Sequence, residues 1–209
     1  MPKTTIAEQL NAAQLAVSNS LADDEIKTLV AAYGYSAEKL AEGQALFDAA
    51  QATVSAQEQA AGAQQAATEA LKAAKSAAFD AYQSLSKVAR AVAPKSALTG
   101  LGLAGPMPRG TASFLNAANI LFTNASTTLP ELAQYGYSGI QIAAGHAKIT
   151  AFAQADQAQE AAKGAAQQAT RDQDAALAAL KKWVAQYLKI ARVALRAKPE
   201  LLEKLGVRA

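Results

Sequence analysis

The sequence predicts an all-α protein made of two tandem copies of one unit: short helix, short helix, long helix. Three observations carry this reading. First, Tyr33-Gly34-Tyr35-Ser36 recurs as Tyr135-Gly136-Tyr137-Ser138. At that offset of 102, residues 33–93 align with 135–195 without a gap, with 23 identities in 61 positions. Twelve of these are not alanine, including Gly43/Gly145, Gln57/Gln159, Glu58/Glu160, Gly62/Gly164, Thr68/Thr170, Lys87/Lys189 and Arg90/Arg192. A repeat of this length sets the fold before any single element does. Second, no helix stop signal falls within 37–93 or 139–197. Third, 56 of the 209 residues are alanine, about half of the 51% hydrophobic content, while aromatics make up 6%.

Each element follows from local signals. Ile6, Leu10, Ala13 and Val17 have helical spacing, and Thr5 with Glu8 forms a capping-box pattern. Asp23 and Asp24 cap a second helix carrying Ile26, Leu29, Val30 and Tyr33. Gly34 supplies a left-handed stop and Ser36 a new cap. Upstream in the second copy, Leu115-Asn116-Ala117-Ala118 matches Leu10-Asn11-Ala12-Ala13, and Asn124 matches Asn19. That offset is 105, so the second copy lacks three residues before its YGYS. Ser113 opens its first helix, Pro130 suits the first turn of its second, and Gly136 and Ser138 repeat the stop and restart. Gly62 and Gly164 stand alone mid-helix, so one unbroken helix of nearly 60 residues, roughly 85–90 Å long, is expected in each copy. Pro199 starts a short terminal helix with Leu201, Leu202 and Leu205, ended by Gly206.

Large apolar residues gather at the ends of the long helices. Leu40, Leu46, Phe47 and Val54 are matched by Ile140, Ile142, Ile149 and Phe152. Leu71, Phe79, Tyr82, Leu85, Val88 and Val92 are matched by Leu177, Leu180, Trp183, Val184, Tyr187, Leu188 and Ile190. The middle holds a small-residue seam alternating threes and fours: Ala56, Ala60, Ala63, Ala67, Ala70, Ala74, Ala77 and Ala81. The second copy keeps Ala155, Ala158, Ala162, Ala165, Ala169, Ala176 and Ala179, with Asp172 interrupting. Such a period predicts that the two long helices pair as an antiparallel alanine-rich coiled coil, Gly62 beside Gly164, with helical clusters at both ends. Breaks at the two glycines would instead give a compact six-helix bundle. The expected division is 1–93 first helical repeat, 94–112 Pro/Gly-rich connection rather than helix, 113–198 second repeat, and 199–209 short C-terminal helix and tail.

YGYS-x3-L-x2-G (33–43), AQEQAAGAQQAAT (56–68) and KKWVAQYLKIARVALRAKPELLEKLG (181–206) resemble a family of uncharacterised bacterial all-helical proteins with two such halves. The resemblance covers most of the chain. It implies the duplicated helical fold and no assigned activity.

The chemistry-bearing motifs are few. With no cysteine, disulfides and thiolate nucleophiles are excluded. A Glu-x-x-His di-iron pattern, a phosphate-binding GxxxxGK[ST] loop and a GxSxG elbow are absent from the sequence. The single histidine, His146, aligns with Gln44 and reads as a polar residue at the edge of a helical seam. Nothing in the sequence supports haem ligation by His146, Met1 or Met107. Glu58 and Glu160 read as partners of Lys163 or Arg171 in salt bridges that fix register. The tyrosines Tyr33, Tyr35, Tyr135 and Tyr137 read first as helix corners and second as aromatic contact patches. Lys182, Lys189 and Arg196 repeat every seven residues and make one helical stripe, within a C-terminal basic excess that includes Arg192 and runs on to Arg208. No run approaches the ~20 apolar residues of a membrane span, and MPKTTIAEQL lacks the apolar core of a signal peptide.

These observations predict a cytoplasmic, non-enzymatic structural or protein-interaction protein, a spacer or scaffold without cofactor or metal. The partner expected is a protein or a second copy of the chain. A membrane surface bound through the basic helix is the alternative. Nucleic acid is not expected as a partner, and an enzyme with a pocket in an end cluster stands last.

Overall fold

The computed structural model describes residues 5–128 and 130–207. Helices account for all regular structure among them: α1 (Ile6–Ala22), α2 (Asp24–Ala31), α3 (Ala37–Val92), α4 (Lys95–Gly100), α5 (Thr111–Thr128), a 3₁₀ helix (Pro130–Tyr135), α6 (Gly139–Ala194) and α7 (Pro199–Lys204). Both long helices, of 56 residues each, run unbroken through Gly62 and Gly164, so the helix breaks that a six-helix bundle needs do not occur. A Cβ on either glycine would meet nothing within 4 Å, so close packing is not what calls for glycine there.

The chain forms two compact units that do not coincide with the sequence repeats. Unit 1 is Met1–Ala61 with Ala165–Ala209, and unit 2 is Gly62–Gly164. Each therefore takes one half of α3 and one half of α6, which are in contact.

In unit 1 the expected caps are in place. Thr5 and Glu8 close the capping box of α1, and Asp23 Oδ1 accepts from the backbone N–H groups of Glu25 (3.0 Å) and Ile26 (3.2 Å). Gly34 has φ +88, and Ser36 Oγ accepts from Lys39 N–H at 3.4 Å. The core joins Val17, Ile26, Val30, Tyr35 and Leu40 to Trp183, Tyr187, Leu195, Leu201, Leu202 and Leu205. A smaller cluster sets Ala13, Phe47 and Ala50 against Leu180. Leu40 thus groups with Tyr187, and Phe47 with Leu180. Numbers rise on α3 as they fall on α6, so the helices run antiparallel within this unit.

Unit 2 is built around Tyr82, Leu85, Leu101, Leu103, Phe114, Leu121, Phe122, Leu132, Ile142, Ile149 and Phe152. Phe79 stacks on Phe114 at 4.1 Å, and Tyr82 meets Phe114 edge-on at 5.3 Å. Three expectations change here. The second helix of this copy is a 3₁₀ helix where α2 is α-helical, which fits the three missing residues. Helix α5 starts at Thr111, two residues before Ser113. Most significantly, the Pro/Gly-rich connection is not free of helix: Pro94 has the extended ψ of an N-cap, and α4 follows it. Gly102 then takes φ +69, as Gly206 takes φ +75 after α7. Counted back from these glycines the sequences correspond too, with Leu98, Leu101 and Gly102 matching Leu202, Leu205 and Gly206 and the prolines one residue out of step.

The seam also needs correction. On α3 the shielded column is Thr53, Gln57 and Ala60 in unit 1, and Gln64, Ala67, Leu71, Ala74 and Ala78 in unit 2. On α6 it is Ala166, Ala169, Gln173, Ala176 and Leu180 in unit 1, and Phe152, Ala155, Gln159 and Ala162 in unit 2. Spacings alternate three and four as expected, but half of the column lies one residue away from the expected alanines. Ala56, Ala63, Ala70, Ala158, Ala165 and Ala179 are exposed, as is Asp172, whereas Gln173 is buried.

Candidate functional site

The repeated tyrosine motif divides its residues between folding and surface. Gly34 and Gly136 (φ +85) turn the chain in the left-handed region that side chains avoid. Tyr35 is buried, edge-on to Trp183 at 5.8 Å and tilted against Tyr187 at 4.9 Å, and burial pushes its hydroxyl pKa up. Tyr137 is half-buried against the unit 2 core. Ser138 Oγ donates to Gln141 Oε1. The first tyrosine of each motif remains outside: Tyr33 is 47% exposed and Tyr135 54%.

The basic residues Lys182, Lys189, Arg192 and Arg196 are all exposed and, among the described residues, none forms a salt bridge. Arg208 and Met1 lie outside the described residues. The ion pair expected to fix register is local: Lys163 Nζ lies 3.4 Å from Glu160, three residues away on the same helix. His146 donates from Nε2 to Asn119 Oδ1 at 3.0 Å, and its ring lies parallel to Phe122 at 6.1 Å. Among the described residues no group of three or more His, Asp or Glu gathers to hold a metal ion.

A site that the sequence did not single out lies in unit 2. Asp80, Ala81 and Ser84 on α3, Phe122 on α5, Tyr137, and Gln141, Ala144, Gly145 and Lys148 on α6 line an open cleft of about 310 Å³. Its meaning comes from the aligned place in unit 1. Gly43, the match of Gly145, lies under the indole of Trp183, and a Cβ there would fall 2.6 Å from Cζ2 and Cζ3 of the ring. Trp183 aligns with Ala81. In unit 2 the ring over the glycine is Phe122, from a different helix, and a Cβ on Gly145 would fall 2.9 Å from its Cζ. Phe122 covers the glycine, and the small Ala81 leaves the space beside it open. The signal was available in the alignment: a tryptophan against an alanine, between matched glycines.

The two asparagines matched in the repeat have matching roles. Asn19 Nδ2 donates to the carbonyl of Lys204, the last residue of α7, at 2.5 Å. Asn124 Nδ2 donates to that of Gly100, the last residue of α4, at 2.8 Å. Each satisfies a carbonyl that a helix end leaves open.

A scan against protein-family models, a search of curated proteins and a search of solved structures each find no match for this chain. No helix among the described residues is long and apolar enough to cross a membrane.

Proposed function

We propose that the chain is a non-enzymatic helical interaction protein, a duplicated scaffold whose long helices pair as a coiled coil and carry one contact point in each unit. The supporting observation is the exposure of Tyr33 and Tyr135 at aligned corners, where the glycine and the more buried second tyrosine already serve the turn. Large exposed aromatics that the fold does not use are typical anchors of protein contacts. Ile140, 80% exposed five residues beyond Tyr135, extends the apolar surface of the second corner. The partner is a protein or a second copy of the chain. The test is sedimentation of the full chain alone and with candidate partners, compared with the double variant Tyr33→Ala/Tyr135→Ala. Association is expected to weaken at least tenfold while the melting temperature stays within a few degrees. Unchanged association would remove the corners from the reading.

A second reading rests on the unpaired basic stripe. Lys182, Lys189, Arg192 and Arg196 form a face suited to an anionic surface. Co-sedimentation with anionic vesicles at low salt, lost at high salt, would support it. No binding at low salt would dispose of it.

A further inference from the structure

We propose that the unit 2 cleft binds a free aromatic amino acid, its ring beside Phe122 and Tyr137 and its charged head between Asp80 and Lys148. The aligned place in unit 1 shows what such a site holds: an indole over a glycine, flanked edge-on by Tyr35. Unit 2 keeps the glycine (Gly145) and the flanking tyrosine (Tyr137), but Ala81 replaces the indole. Phe122 covers Gly145 and is itself only 3% exposed, and about 310 Å³ stays open among the lining residues, with the half-buried Tyr137 ring at its wall. A planar aromatic group satisfies this wall better than an aliphatic one, because it can pack against the half-buried ring of Tyr137 as Trp183 does against Tyr35 in unit 1.

The rim specifies the head group. Asp80 on α3 and Lys148 on α6 line opposite helices of the cleft, both exposed, and neither forms a salt bridge among the described residues. At the aligned positions unit 1 has Lys182 and Leu46, so an opposed pair of charges is particular to unit 2. An α-ammonium facing Asp80 and an α-carboxylate facing Lys148 complement that pair, with Ser84 and Gln141 available as further hydrogen-bonding groups. Unit 1 also carries its own ion pair, Lys39 with Glu42 at 2.8 Å, where unit 2 has Gln141 and Ala144.

The test is an amide NMR titration of the full chain with L-tryptophan, indole and N-acetyl-tryptophanamide. Saturable shifts are expected at Ala81, Ala144 and Gly145, with none at Gly43, and dissociation constants on the order of 0.1–1 mM for so small a ligand. L-Tryptophan is expected to bind several-fold more tightly than indole or the uncharged amide, the scale of exposed charge pairs. Lys148→Glu should bring L-tryptophan down to the level of indole and leave indole unchanged. Ala81→Trp should abolish binding of all three by filling the cleft in cis. If that variant does not fold, Lys148→Glu, at an exposed side chain, carries the test alone. No saturable shift at the three cleft amides, equal shifts at Gly43, or amide binding as tight as L-tryptophan would each overturn the proposal.

Discussion

Over Gly43 of unit 1 lies the ring of Trp183 from α6, while over the aligned Gly145 of unit 2 lies the ring of Phe122 from α5. The glycine recurs although the aromatic residue, its helix and its position in the repeat all differ. What the two units share is therefore an aromatic ring in contact with bare backbone, and the residue that supplies it is free to change. The consequences of the two solutions are unequal. Trp183 is wedged between Tyr35 and Tyr187, stacked on the latter at 5.3 Å, and closes its site. This burial leaves its Nε1–H without an acceptor, a cost of about 1–3 kcal/mol offset by the buried area and the two aromatic contacts. Phe122 buries no polar atom and leaves a cleft.

The largest expected effect follows from that inequality. Trp183→Ala should cost about 3–5 kcal/mol, measured by urea unfolding, because it empties a site closed on several sides. Its counterpart, Ala81→Gly, should cost only about 1 kcal/mol, the helix-propensity difference. Similar losses for the two would mean that the aligned positions are equivalent after all. Next in size are the glycines under the rings. Gly43→Ala drives a methyl into an indole held by two tyrosines and should cost about 1–3 kcal/mol. Gly145→Ala drives a methyl against the buried ring of Phe122 and should cost a similar amount, although only one ring, without flanking tyrosines, has to move.

The same substitution should change sign at the other matched pair. A methyl on Gly62 or Gly164 meets nothing within 4 Å. Gly62→Ala and Gly164→Ala are each expected to stabilise by up to about 1 kcal/mol through helix propensity and a less flexible unfolded chain. Thermal unfolding of the four glycine variants side by side separates glycine kept for space from glycine that the fold tolerates. Destabilisation at Gly62 would show that its backbone is approached after all.

These contrasts also show what was legible in the sequence. The long helices, the caps at Thr5 and Asp23, the corners at Gly34 and Gly136 and the terminal helix α7 were readable, because each is set by a few local residues. The seam was readable in period but not in phase. With 56 alanines in the chain, alanine identity cannot tell a buried column from an exposed one. The phase is carried by the rare large residues Leu71, Phe152 and Leu180, and following them in sevens leads to Gln57, Gln64, Gln159 and Gln173. Helix α4 was hidden by its composition: prolines and glycines marked a loop, although Pro94 starts the helix and Gly102 ends it. The cleft depended on a difference within the repeat, Trp183 against Ala81, which counting identities passes over.

The smallest expected effect separates the short helices α4 and α7 by pH. Both are held by an asparagine, but α7 has two further ties to unit 1: Lys204 Nζ to Asp23 Oδ2 at 2.8 Å, and Lys198 to Glu25. In unit 2 the segment after α4 is held by Arg90, which donates to the carbonyls of Leu103 (3.4 Å) and Gly105 (2.9 Å). Lys204, and then the N–H of Ile26, hold the Asp23 carboxyl below its ordinary pKa. A pKa lowered by folding contributes stability above its unfolded value, and that contribution is lost as pH falls through the folded value. Lys204 is raised by Asp23, so its contribution is present below the ordinary lysine pKa and lost as pH rises through the raised value. The α7 attachment should therefore loosen at both extremes, below about pH 4 and above about pH 10. The α4 side should stay fixed, because an arginine on carbonyls does not titrate in that range. Amide exchange at Leu201 and Leu202, followed against Leu98 and Leu101, reads the difference. Equal loosening of both helices at low pH would trace the effect to the whole fold and not to the Asp23–Lys204 pair.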